Sequence, residues 1–201
     1  MTKGRVEAFS DGVFAVAITI LVFNVQAPKG ASGQLWDGLL RQWPTYAAYI
    51  ASFLTIGVMW INHHGVFDRV ARVDRPLMML NLLLLMTIVL VPFPTSLMGQ
   101  FLPGGGADAR AAATAYAALA VMIAITFSAV WGYVLSHPQL LVEGMDLAAA
   151  RRMAPRFAIG FVVYLACIPL AQVSPVGVVF LAGAAAVYYA IERLPEVPGA
   201  D

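Results

Sequence analysis

The stretch Phe9-Ser10-Asp11-Gly12-Val13-Phe14-Ala15-Val16-Ala17-Ile18-Thr19-Ile20-Leu21-Val22-Phe23-Asn24-Val25 decides the fold class. Beyond Gly12 only Thr19 and Asn24 interrupt its apolar side chains, and Pro28-Lys29-Gly30 stops it. Its length approaches the roughly 20 residues that a helix needs to cross the hydrocarbon core of a bilayer. Five more apolar runs follow. They cover about Tyr46 to Phe67, Met79 to Phe101, Ala109 to Leu135, Pro155 to Gln172 and Val176 to Ile191. Trp43-Pro44 leads into the second, and Trp43 suits an interfacial position. Pro92 and Pro94 remove backbone donors from the third and predict a kink or break near its outer end. Gly104-Gly105-Gly106, His137-Pro138 and Ser174-Pro175 punctuate the remaining runs. The expected fold is an all-α integral membrane protein with six transmembrane helices. They form one domain over residues 1–195, with a short cytoplasmic tail over 196–201.

Composition agrees. Of 201 residues 61% are apolar and 11% charged, with a mean hydropathy of +0.80. A soluble domain carries roughly 45–50% apolar and about 25% charged residues, so this chain has too few charges to cover a water-bathed surface. The formal charge of +1 gives no reason to expect a nucleic-acid partner. The single cysteine, Cys167, lies in an apolar run and reads as a buried, inert thiol. Six spans leave almost no chain for a soluble domain, so function must lie within the bilayer or its short loops.

The basic residues give the orientation. With six spans, Lys3, Arg5, Arg69, Arg72, Arg75, Arg151, Arg152, Arg156 and Arg193 share one side, and only Lys29, Arg41 and Arg110 fall on the other. The positive-inside bias assigns the larger set, and both termini, to the cytoplasm. A plasma-membrane location is expected. The first run does not read as a cleaved signal peptide, because Glu7 and Asp11 flank or enter it and no convincing cleavage site follows.

Polar residues inside apolar helices mark the candidate site. Asp11 stands at the threshold of the first span, where a carboxylate is expected to be paired or to face water. Trp60-Ile61-Asn62-His63-His64 lies at the inner end of the second span, on the same membrane side. Polar groups at similar depth can satisfy one another. Adjacent histidines point about 100° apart on a helix, so His63 and His64 do not readily share a metal, and no metal site is expected. At helical spacing Gly12, Val16, Thr19, Ile20 and Phe23 form one stripe, with Asp11 about 140° round from Val16. Such a stripe is usually ordinary helix packing, and Thr19 could bond back to its own helix. Glu143 and Asp146 read as a solvated charge cluster with Arg151 and Arg152.

The run Arg5-x-x-x-Phe9-Ser10-Asp11-Gly12-Val13-Phe14-Ala15-Val16-Ala17-Ile18-Thr19 resembles the signature of the lysosomal potassium channel family called transmembrane protein 175. The resemblance is to its single-repeat prokaryotic members, and the Trp60–His64 cluster and Pro92-x-Pro94 follow in the family's order. It implies a potassium-permeable homotetramer with the first helix of each subunit lining the pore. It further implies an apolar constriction at Val16, Ile20 and Phe23 and a threonine layer at Thr19 that aids selectivity. Arg5, Phe9, Ser10, Asp11, Trp60, Asn62, His63 and His64 would anchor the pore helix, with Asn62, His63 or His64 as partners for Asp11. Val16 and Phe23 stand where the family commonly has isoleucine and leucine. No cofactor is implied, only potassium as the permeant ion, and the partners are other copies of the chain and the lipid bilayer.

Two other function classes fit the sequence less well than a channel. A proton-coupled carrier would need paired repeats and broken helices about a midplane site, and neither is evident. An enzyme would need converging catalytic groups, and no such spacing stands out.

Overall fold

A computed structural model describes residues 2–28, 33–152 and 154–191. Lys29, Arg193 and the tail over 196–201 lie outside the described residues, and the side chains of Arg152 and Arg156 are not described. The order is α1 (Lys3–Ile20, continued by a 3-10 turn, Leu21–Asn24), α2 (Leu35–Arg41), α3 (Trp43–Asp68), α4 (Arg75–Val89) and α5 (Pro92–Phe101). Then come α6 (Gly106–Ser136), α7 (Leu147–Arg152), α8 (Ala154–Val173) and α9 (Pro175–Ile191).

Among the described residues, four helical stretches are long and apolar enough to cross a membrane: Lys3–Asn24, Trp43–Asp68, Arg75–Gly104 and Gly106–Ser136. Ile159–Val173 and Pro175–Ile191 are apolar but shorter. The first helix begins at Lys3, earlier than the apolar run at Phe9, because its polar first turns are good helix formers. Lys3 and Glu7 also pair across one turn at 3.6 Å. Two short helices, α2 and α7, form in links where no helix was expected.

The third apolar run is divided into α4 and α5. Pro92 and Pro94 cannot donate to the carbonyls four residues back, those of Ile88 and Leu90. Each carbonyl is recovered by a tighter bond, from Val91 N–H at 3.1 Å and Phe93 N–H at 3.0 Å. The break is held from two sides. Asn24, at the end of the first span, donates its Nδ2 to the Pro92 carbonyl at 3.0 Å. From α3, Ser52 lies 2.7 Å from the Thr95 hydroxyl, and Tyr116 of α6 lies 3.1 Å from Ser52. Thr95 gives its own proton to the Val91 carbonyl at 2.8 Å, so the chain of donation runs Tyr116 to Ser52 to Thr95.

The links sort to opposite ends. Val70 and Leu141 form an antiparallel bridge, with Ala71 N–H on Leu140 O at 2.7 Å and Val142 N–H on Arg69 O at 3.1 Å. The link after α3 and the link after α6 therefore lie together. At the other end, Thr45 at the start of α3 donates to the Gly99 carbonyl near the end of α5, at 3.2 Å.

The core has two parts. Phe14, Leu21, Phe67, Leu84, Ile88 and Val130 belong to a cluster of large side chains joining α1, α3, α4 and α6. Ala48, Ala51, Ala113, Ala117, Ala171 and Ala182 belong to a second cluster joining α3, α5, α6, α8 and α9. Small side chains allow helices in lipid to approach closely, where dispersion replaces the missing hydrophobic drive. Within the small-residue runs Ala112, Ala113, Ala182, Ala185 and Ala186 are buried, whereas Ala111 and Ala184 face outward.

Candidate functional site

α1 has two unlike faces. Val6, Ser10, Phe14, Ala17 and Leu21 recur every three or four residues and are buried against α3 and α4. The opposite side is open. Arg5, Phe9, Asp11, Gly12, Ala15, Val16, Thr19, Ile20 and Phe23 are all exposed in the chain taken alone. Exposure is 55% at Val16, 39% at Ile20 and 73% at Phe23. Gly12, Val16, Thr19 and Phe23 fall within about 60° of arc at the centre of this open side, and Ile20 lies at its edge. Only 28% of the apolar window of the first span is buried, against 50% for Trp43–Asp68. Of the four long stretches among the described residues, it is the least covered by its own chain.

The buried face is held by a directional hydrogen-bond chain through three helices. Ser10 Oγ donates to the Val6 carbonyl at 2.8 Å and accepts from Asn81 Nδ2 of α4 at 3.0 Å. Asn81 Oδ1 lies 2.7 Å from His63 Nε2 of α3. An amide oxygen can only accept, so this order puts the His63 ring proton on Nε2. All three side chains are buried. Phe67 stacks on the His63 ring at 4.5 Å between centroids, and Phe14 meets it at 5.4 Å and a 60° tilt. A buried polar chain satisfied in this way fixes the rotation of α1 about its own axis, because turning the helix would strand each member in an apolar setting.

Asp11 is held differently. Trp60 Nε1 donates to its Oδ1 at 2.8 Å, at the exposed edge of the α1–α3 contact. The expectation of Asn62, His63 or His64 as its partner is corrected. Trp60 faces outward beside α1, whereas Asn62 lies about 200° round α3 from it. Asn62 lines a cleft with Met59, Phe127, Gly160, Tyr164 and Tyr189. His64 faces outward with Trp60, and its Nε2 lies 3.6 Å from Asp68 Oδ2. The two histidines point apart, and among the described residues no three potential metal-ligating side chains gather.

The eight residues of the expected anchoring network thus divide. Ser10 and His63 join the buried chain, Asp11 and Trp60 form an outer bond, and Arg5, Phe9, Asn62 and His64 take part in neither. The residue that the sequence reading missed is Asn81, the link between Ser10 and His63. Its signal was present as a lone amide in Met78-Met79-Leu80-Asn81-Leu82-Leu83-Leu84-Leu85, where an unpaired polar group would be costly. Thr19 donates to the Ala15 carbonyl at 2.6 Å, so its proton is used within its own helix while its oxygen lone pairs stay on the open face.

Comparisons with known proteins identify the family. A family model described as the endosomal/lysosomal potassium channel TMEM175 matches residues 5–92. A Streptomyces collinus protein named as a potassium channel is 46% identical over 194 residues, covering 96% of this chain and 94% of its own length. One from Chamaesiphon minutus, also named as a potassium channel, is 39% identical, covering 94% of this chain and 93% of its own length. The crystal structure of a lysosomal potassium-selective channel TMEM175 homologue from Chamaesiphon minutus superposes with a TM-score of 0.83 at 36% identity, covering 94% of this chain and 96% of that one. With relatives this similar along nearly its whole length, the chain belongs to the TMEM175 family of membrane channels and is not an enzyme.

Proposed function

We propose that this chain is the subunit of a potassium-permeable channel, with six spans per copy and four copies around a central pore lined by α1. Val16, Ile20 and Phe23 then form apolar rings, and Thr19 forms a layer of hydroxyl oxygens between them. The observation that carries this reading is the open face of α1. A face that carries Arg5, Asp11 and Thr19 is poorly matched to lipid tails. Closed rotational symmetry gives it water and other copies instead. Small apolar rings can stop ions by dewetting without a moving plug. Thr19 supports a selectivity role because its hydroxyl proton is committed to Ala15, which leaves oxygen lone pairs to replace part of the hydration shell of a cation. Asp11–Trp60 and Ser10–Asn81–His63 serve as anchors that set the rotation of α1. The working location is the plasma membrane, with both termini cytoplasmic. A proton-coupled carrier is not favoured, because the near-full-length relatives are named as channels.

The test is cation flux from liposomes holding the purified protein, with potassium, sodium and large organic ions compared. Potassium efflux is expected, with large organic cations excluded. Val16→Asn is expected to raise the flux by keeping the constriction wet. Flux that is unaltered by polar and by large replacements at Val16, Ile20 and Phe23 would overturn the pore assignment.

A further inference from the structure

The short helix α2 has no buried residue, yet it carries some of the largest apolar side chains of the chain. Leu35, Trp36, Leu40 and the following Trp43 are all exposed, Trp36 by 72%. At 100° per residue Leu35, Trp36 and Leu40 fall within an arc of about 140°, which also holds the half-buried Leu39, with Asp37 and Arg41 on the other side. The protein holds α2 from a side away from Trp36. A Cβ on Gly38 would lie 2.7 Å from Pro28 Cβ, and Gly38 is about 200° round the helix from Trp36. Trp36 and Leu40 therefore face away from the chain that supports the helix.

Position says what it faces. α2 joins two membrane-crossing stretches, Lys3–Asn24 and Trp43–Asp68, so it sits at the level of the bilayer surface. Seven residues rise only about 10 Å, too short to cross. Exposed Trp43 lies two residues beyond Arg41 as the first residue of α3, so the apolar side chains of α2 adjoin the start of a membrane-crossing helix. Indole rings favour the headgroup boundary, where the ring is sheltered and its N–H stays wet. We infer that α2 lies in the bilayer interface, with Leu35, Trp36, Leu40 and Trp43 sunk among the lipids and Asp37 and Arg41 toward water. One acid and one base cancel on the polar side, so a zwitterionic bilayer is sufficient as partner. This docking anchors the link between the first two spans from outside and does not depend on which ion the protein passes.

The test labels single cysteines with a nitroxide on the full chain in phosphatidylcholine vesicles, in a Cys167→Ala background. Trp36→Cys and Leu40→Cys are expected to collide with dissolved oxygen several-fold more readily than with a water-soluble nickel chelate. Asp37→Cys and Arg41→Cys should show the reverse, and added anionic lipid should leave the pattern unchanged. Nickel access at 36 and 40 would place the arc in water and overturn the inference. So would closure to both reagents with spin–spin broadening that disappears on dilution with unlabelled copies, because a second copy would then cover the arc. As a check that needs no cysteine, lipids brominated near the headgroup should quench the native protein more than its Trp36→Phe variant. Equal quenching of the two would also overturn it.

Discussion

The two faces of α1 share one backbone, yet they differ in what covers them and in where their polar groups turn. The buried face spends its polar groups inward, where Ser10, Asn81 and His63 satisfy one another in a fixed direction. The open face leaves Asp11 with one neighbour at the edge and turns Val16, Thr19 and Phe23 away from the chain. The difference teaches that rigidity and function are assigned to opposite sides of a single helix. One side sets the rotation, and the other presents what that rotation aims.

Three substitutions test this division. The largest effect is expected from Phe14→Ala on the buried face. Phe14 packs against the His63 ring within the large-residue core, and the cavity left behind should cost about 3–5 kcal/mol. Equilibrium unfolding in mixed micelles measures it, and a loss below about 1 kcal/mol would mean that this face is not the closely packed one. Next is Asn81→Leu, which removes the central link, leaving the buried His63 N–H without its acceptor and the Ser10 oxygen, still donating to Val6, without its donor. A loss of about 1–2 kcal/mol is expected, in keeping with interhelical hydrogen bonds in lipid and the cost of orphaned polar groups. The flux ratio between ions should change as well, because the α1 rotation is no longer pinned. Stability lost with ion preference intact would confine the buried chain to packing. The smallest effect on stability is expected from Val16→Ala, within about 0.5 kcal/mol, because more than half of that residue is left uncovered by its own chain. Flux should nonetheless rise through a wider ring. A loss above about 2 kcal/mol with unaltered flux would reverse the roles of the two faces.

The sequence was most informative where the physics is local. Apolar run length located the helices, and Pro92 and Pro94 announced the break between α4 and α5. Helical spacing put Val16, Thr19 and Phe23 on one side and turned His63 away from His64. The link between the first two spans was harder. Pro28-Lys29-Gly30 read as the stop of the first run, and α2 is too short for periodicity to declare itself, so its amphipathic arc emerged only with the fold. Within the candidate site, the motif around Asp11 was visible but its partner was not.

What the chain alone determined, then, is which segments form apolar helices, where one of them must bend, and which residues share a helix face. Only the packed structure decided that Trp60 holds Asp11, that Asn81 joins Ser10 to His63, and that α1 keeps its Thr19 side uncovered. The reason is geometric. Helix periodicity sets the direction of a side chain about its own axis, whereas its partner depends on which other helix lies there, and at what height and angle. Those are properties of the assembled bundle.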